Sequence, residues 1–540
     1  MIKEKLNNLK VITPDEVLDK FLKWFDNKKK MAFFITIIVG IITHITMTTE
    51  MIMSQDGLWN SISYSRAGLW ETTLGRWGIE LITRVTSFIA IPSITTIFNI
   101  ILMAITAIFL VDLFNLKSKI SIFFTSIALV LTPTFTVTLL YVYTSFAYCA
   151  NMLIATLVVW FIYKFPYKKW GIVLSSICFM MVLSIYQSYV GVTVGLCVMV
   201  SVLHLIKGEK SIKEIFINIL KTVISVIAGG IIYYIITMIL LKVSGVEFAA
   251  YKGANNISIM DIILNLKTTI IQAYKDFLFF FLGDSIVYNS NYRREVLYGI
   301  FFLMFGISCL ISIFSIKSEN KKERVFRIVI SILFLALLPL GLNIIDVIAC
   351  STTIYALTGT QLILMIPFAF AIFELIEKFI ILKWIGVLSC VLIMLTYYIA
   401  TNTSYSALKL TYNQAYSTTV RIMDRIENTT GYTKDAEILF GGIVGNNNYP
   451  RTSSLYNYTI GSIVNNTTFH GTYAGQIGTW MSFLKVFLGV DFVPCSENTY
   501  YTIVNSQEYK DMDVFPATNS VKVLNGIVVV KLSENPPLPY

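Results

Sequence analysis

The sequence predicts a polytopic α-helical membrane protein, with about eleven transmembrane helices followed by a small extracytoplasmic α/β domain at the C-terminus. Three observations lead there. Apolar side chains make up 56% of the 540 residues and charged ones only 14%, more apolar surface than a soluble fold of this length can hide. The apolar residues gather in repeated runs of roughly 20, enough for a helix to cross about 30 Å of hydrocarbon. Lys and Arg concentrate between those runs, at alternate connections. A β-barrel would need short strands of alternating polarity, which the sequence lacks.

Residues 1–30 are polar and amphipathic. Thr13-Pro14-Asp15-Glu16 reads as a capping box with proline at the first helical position. Leu18, Phe21, Leu22 and Phe25 recur at helical spacing, and Lys28-Lys29-Lys30 closes the segment. A helix lying on the cytoplasmic membrane face is expected, with a partner-binding helix as the alternative. The first span covers residues 32–51. The lysines before it place the N-terminus inside and the following loop, residues 51–93, outside. Further spans are expected at 94–114, 120–140, 145–163, 171–190, 191–206, 215–241, 297–316, 325–345, 354–377 and 381–400. Lys117 and Lys119, Lys164, Lys168 and Lys169, Lys207 and Lys210, then Lys317, Lys321, Lys322 and Arg324, and finally Lys378 and Lys383 all fall on the inner side. The alternation is self-consistent, and it leaves residues 401–540 outside.

The domains read as an N-terminal helix, residues 1–30, a membrane domain, residues 31–400, and a C-terminal domain, residues 401–540. The second outer loop, residues 244–296, contains an apolar stretch at 257–282 that suits an interfacial or re-entrant helix. In the tail, Ser404–Glu427 reads as a helix, and Ala436–Val444, Tyr500–Asn505 and Val521–Leu532 read as strands.

The net charge of +10 is a topology signal in such a chain, and no nucleic-acid partner is expected. The seven cysteines are scattered and there are only three histidines, so neither a zinc site nor a disulfide framework is expected. No cleavable signal peptide is evident. Gly441-Gly442-Ile443-Val444-Gly445 lacks the spacing of a dinucleotide loop, and no P-loop, HExxH or GxSxG occurs. No cofactor is expected.

Polar chemistry has its first place in Met51–Trp77, where Asp56, Arg66, Glu71 and Arg76 mix with Trp59, Trp70 and Trp77. At the membrane surface Asp56 suits a general base, taking a proton from an acceptor hydroxyl; the alternative is a carboxylate paired with Arg66 or Arg76. Glu50 and Glu71 are the other acids that could serve, and Glu71 is also a candidate for contacting substrate. Arg76, Glu80 and Arg84 share one helical face. Either they form surface ion pairs, or Arg76 and Arg84 bind phosphate, to which the guanidinium fork is suited. Arg293 and Arg294 lie on the outer side, where charge bias does not predict a basic pair. A lipid-linked phosphate is a natural partner for them, with Lys252 as a further cation. Tyr186 and Gln187 end a span on the outer side and can hydrogen-bond a sugar, an aromatic belt being the alternative.

Ser54-Gln55-Asp56-Gly57, the following Gly75-Arg76-Trp77, and the C-terminal block from Met512 to Leu532 resemble the bacterial Gtr-type (GtrII-like) membrane glucosyltransferases, of the GT-C architecture. The resemblance implies a glycosyltransferase of the cell membrane. It implies a polyprenyl-phosphate-sugar donor, an extracytoplasmic cell-wall or surface glycan as acceptor, and a first-loop carboxylate, Asp56, as base. Members often carry adjacent acids in this loop, whereas Gln55 stands here, so metal-independent transfer is expected; the leading expectation for the mechanism is an inverting displacement. The competing expectations are a transporter or flippase of lipid-linked sugars, which would show duplicated halves and broken helices at the midplane, and a non-catalytic scaffold.

Overall fold

A computed structural model describes residues 13–60, 64–249, 259–283, 292–318, 320–349, 357–376, 378–442, 481–534 and 536, without the side chains of residues 55, 259, 292 and 293. Among these, eight helices are long and apolar enough to cross a membrane: Pro92–Phe114, Lys119–Leu140, Val142–Lys164, Gln187–Lys207, Ile212–Ser244, Arg294–Phe314, Lys321–Leu342 and Ile380–Glu427. The protein is a polytopic helical membrane protein. At the other three predicted spans the helices are shorter, Asn27–Thr43, Lys169–Ile185 and Thr360–Phe373.

Local chemistry sets where these helices begin. Pro14 and Pro92 stand in the first helical turn, where a missing N–H costs nothing. The Thr13 hydroxyl accepts from the Glu16 amide, and Asp26 Oδ1 accepts from the amides of Lys28 and Lys29 at 3.0 and 3.1 Å. Ser211 and Glu214 cap each other reciprocally. Pro133 divides its span into Lys119–Leu131 and Pro133–Leu140.

The span Lys119–Leu140 is central, 89% of it buried, whereas Ile212–Ser244 is peripheral, 17% buried. Val142–Lys164 packs between Pro92–Phe114 and Lys169–Ile185, which in turn packs on Ile212–Ser244. Gly229 allows that last approach: a Cβ there would lie 2.5 Å from the Ser176 carbonyl oxygen. Buried polar groups tie the spans together. His44 bonds through Nδ1 to the Tyr405 hydroxyl and through Nε2 to the Val130 carbonyl, both at 2.7 Å. Asn151 Nδ2 donates to the carbonyls of Val182 and Tyr186 at 3.2 Å, satisfying the buried C-terminal end of Lys169–Ile185. Asp112 accepts from Trp160 Nε1 at 2.8 Å and pairs with Lys164 and Lys29. Trp24, at the end of the helix Pro14–Trp24, packs on Phe109 and Trp160. Its Val17, Leu18, Phe21 and Leu22 remain exposed.

The apolar stretch at 257–282 forms a helix, Ile259–Leu282, which packs on Ile344–Ala349, Tyr292–Phe314 and Lys321–Leu342. It buries Asp276 against Asp346.

The tail carries a four-stranded sheet in the order β2-β1-β4-β3, with β1 Glu437–Gly441, β2 Val493–Pro494, β3 Val521–Leu524 and β4 Ile527–Lys531. β1 runs parallel to both β2 and β4, and β3 and β4 form an antiparallel hairpin. Asn525 and Gly526, with φ of 51° and 79°, make the tight turn that Asn-Gly favours. One expectation is corrected. Tyr500–Asn505 is not a strand but lies in the helix Glu497–Val504 and its cap, because the Ser496 hydroxyl accepts from the Thr499 amide and starts a helix. The helix expected at Ser404–Glu427 is present as the second half of Ile380–Glu427, which runs unbroken through residue 401. Its Ile422, Met423 and Ile426 pack on Ile438, Phe440, Val528 and Val530 of the sheet.

Candidate functional site

The site is built from the loop of residues 51–93 laid over the ends of Val142–Lys164, Lys169–Ile185 and Ile212–Ser244. Ser54 caps the short helix Gln55–Trp59, its hydroxyl accepting from the Gly57 amide at 3.2 Å. The Ser54 amide donates to the Leu140 carbonyl at 2.9 Å, which pins this helix to the bundle. Asp56 stands exposed in its first turn, where the helix dipole favours a carboxylate. Glu71 Oε2 accepts from the Gly68 amide at 2.6 Å. Tyr143 lies within electrostatic reach of both carboxylates and of Tyr148.

A sharp turn follows. Gly75 has φ of +70°, and the Arg76 amide donates to the Glu71 carbonyl at 2.7 Å. Gln187 Nε2 clamps the turn by donating to the Leu74 carbonyl at 3.1 Å and to the Tyr233 hydroxyl at 3.2 Å. Trp77 Nε1 donates to Thr237 Oγ1 at 3.0 Å. These contacts set the Arg76 guanidinium 4.7 Å from the Tyr186 ring centre. Tyr186 is stacked on Tyr148, with centroids 4.7 Å apart and planes at 13°. The site thus has Asp56 and Glu71 within electrostatic range of Tyr143, beside the stacked Tyr148–Tyr186 pair that carries Arg76. It can hold a carboxylate and a cation on either side of an aromatic platform, while Trp59, Trp70 and Leu69 project outward from the same loop.

The other sequence candidates fall elsewhere. Arg84 takes the ion-pair alternative: Arg66 Nε and Arg84 Nη2 meet Glu80 Oε1 at 2.9 and 3.2 Å. Arg294 is fully buried, and its Nη2 donates to the Gly283 carbonyl at 2.7 Å, so it faces the interior of the fold. Glu50 pairs with Lys409 of the long helix. Lys252 and the Arg293 side chain lie outside the described residues. Sequence reasoning missed Tyr143, Tyr148 and Tyr233, which sit within apolar runs and carry no local signal. It also missed Asp276 and Asp346. Burial pushes the Asp346 carboxyl up, to about 8, and the neighbouring Asp276 charge adds to the shift.

No curated protein and no solved structure gives a significant match to the chain. A family match does exist, described as Glucosyl transferase GtrII, over residues 61–366. That range holds Glu71, Arg76, Tyr186, Gln187 and Tyr233, and leaves Asp56 and the tail outside it. Covering more than half of the sequence, it establishes that the chain belongs to the glucosyl transferase GtrII family.

Proposed function

We propose that this glucosyltransferase moves its sugar from a polyprenyl-phosphate carrier to a cell-wall or surface glycan at the outer membrane face, with Asp56 as general base. In this reading the chain crosses the cell membrane about eleven times, with a cytoplasmic N-terminus and an extracytoplasmic C-terminal domain. One observation carries the proposal: the Gly75 turn places Arg76 on Tyr186, whose stacked partner Tyr148 and the two first-loop carboxylates are all within electrostatic range of Tyr143. Asp56 is favoured over Glu50 and Glu71 because it stands exposed in the first turn of its helix, within the Ser54-Gln55-Asp56-Gly57 motif, whereas the other two are half-buried.

In the proposed reaction Asp56 takes the proton of the acceptor hydroxyl as its oxygen bonds to the anomeric carbon. The bond from that carbon to the phosphate oxygen breaks, and its electron pair leaves with the polyprenyl phosphate. A single displacement inverts the anomeric centre. Arg76 stabilises the departing phosphate, and Gln187 and the stacked tyrosines orient the sugar. The positive charge comes from a guanidinium, so turnover is expected to survive EDTA.

The test uses purified full-length protein, polyprenyl-phosphate glucose and a cell-wall glycan. Asp56→Asn should lower kcat by about 10²–10⁴-fold, the usual worth of a positioned base, while the lipid donor still binds. Unchanged turnover would move the base to Glu71, and flipping of the donor without transfer would make the protein a transporter.

A further inference from the structure

The helix Val190–Lys207 follows directly on Tyr186 and Gln187 of the proposed catalytic site, and Pro92–Phe114 follows the loop that carries it, so the C-terminal ends of both lie a helix length further along the chain. At those ends lies a cavity of about 640 Å³, with Lys117, Lys207 and Lys383 in its wall. Its volume falls in the range of roughly 300–1,000 Å³ typical of sites for small organic molecules, far more than a bare phosphate ion needs. Phe370 and Phe373 line its inner side, and Ile120 and Val387 also line it.

Charge and polarity are unevenly distributed there. Glu374 also lines the cavity, but its carboxylate is committed to backbone: it accepts from the Lys117 amide at 3.0 Å and the Ser118 amide at 2.8 Å. Glu209 is at the exposed rim, and both acids act electrostatically on Lys207. Lys207 Nζ donates to the Phe114 carbonyl at 3.3 Å, which holds its ammonium on the cavity wall. Among the described residues none of the three lysines is in an ion pair.

The apolar side continues into the lipid-facing surface. Ile120 itself is exposed, and so are its neighbour Phe123 and, beside Val387, Trp384 and Leu388. A ligand here meets cations and hydrocarbon together, which suits an amphiphile rather than a soluble anion.

We infer that this cavity is a binding site for the phosphate headgroup of an anionic lipid. The phosphate sits on Lys117, Lys207 and Lys383. The hydrocarbon passes Ile120 and Val387 and leaves between the helices Lys119–Leu131 and Ile380–Glu427. The site is separate from the outer-loop chemistry and does not depend on it.

Native mass spectrometry of the full-length protein in detergent tests this, titrating phosphatidylglycerol, undecaprenyl phosphate, phosphatidylcholine and sodium phosphate. Both anionic lipids should bind, and the tighter of the two identifies the source of the phosphate. Lys207→Gln/Lys383→Gln should weaken that binding tenfold or more. Lys383→Glu should do the same while leaving the Lys207–Phe114 contact in place. Lys434→Gln/Lys510→Gln, which removes two exposed cations of the C-terminal tail, should leave it unchanged. Equal binding of phosphatidylcholine, unchanged affinity in both cavity variants, or displacement of the lipid by millimolar sodium phosphate would overturn the assignment.

Discussion

Replacing Gly75 with Ala perturbs the turn that aims Arg76, and the structure allows the cost to be worked out. Gly75 has φ of +70°, a conformation that costs a residue with a Cβ on the order of 1–2 kcal/mol. The new Cβ would lie 2.2 Å from the Tyr233 hydroxyl and 3.4 Å from the ring carbon that bears it. Non-bonded carbon and oxygen settle near 3.5 Å, so the hydroxyl must retreat by about 1 Å. That retreat breaks the Gln187–Tyr233 bond, worth roughly 1 kcal/mol. A displacement of about 1 Å at a positioning residue can cost about 100-fold in rate. Gly75→Ala should therefore lower glucosyl transfer by that order and destabilise the protein by about 2–3 kcal/mol. Tyr233→Phe removes only the atom in the way, leaving the Cβ to face the ring carbon at an ordinary contact distance. The double variant should then be more active than Gly75→Ala alone, with a coupling of about 1 kcal/mol. Transfer of labelled glucose and thermal unfolding in detergent, measured on all four proteins, close the cycle. Additive losses would refute the claim that the Gly75–Tyr233 contact sets the position of Arg76.

Two further outcomes follow from the charges. Arg84→Ala removes an exposed ion pair with Glu80, which also meets Arg66. It should cost at most about 0.5 kcal/mol and leave the KM for the lipid donor unchanged, whereas a large rise in KM would restore Arg84 as a phosphate ligand. Asp346 has a raised carboxyl pKa, so the folded state holds a proton that the unfolded chain has lost. Its contribution to stability is full below pH 4 and disappears as the pH rises towards about 8. Asp346→Asn should flatten the fall of Tm across that window and be the more stable protein at pH 8; parallel Tm profiles would refute the burial argument.

Much of the fold was legible because a hydrocarbon solvent leaves a coarse mark. Apolar runs located the long helices of the bundle, and Thr13-Pro14 marked a helix start that the structure keeps. The strand expected at Tyr500–Asn505 failed because aromatic and β-branched residues outweighed Ser496, whose single capping bond decides for helix. The shared face of Arg76, Glu80 and Arg84 was visible at i and i+4. What each arginine touches was not, since Tyr186, under Arg76, and Arg66, which shares Glu80 with Arg84, arrive from other segments. Arg294 illustrates the same limit on local reading: a basic residue before a span looks interfacial, yet its donor meets the Gly283 carbonyl inside the fold.

The order of apolar and basic segments was enough to make this chain a bundle of membrane helices, because the free energy of burying hydrocarbon and keeping lysine in water depends on composition alone. The grouping of Tyr143, Tyr148, Tyr186 and Tyr233 around the Gly75 turn was a matter for the tertiary structure. Stacking and hydrogen bonds act over a few ångströms, and only packing of distant helices brings their donors and acceptors that close.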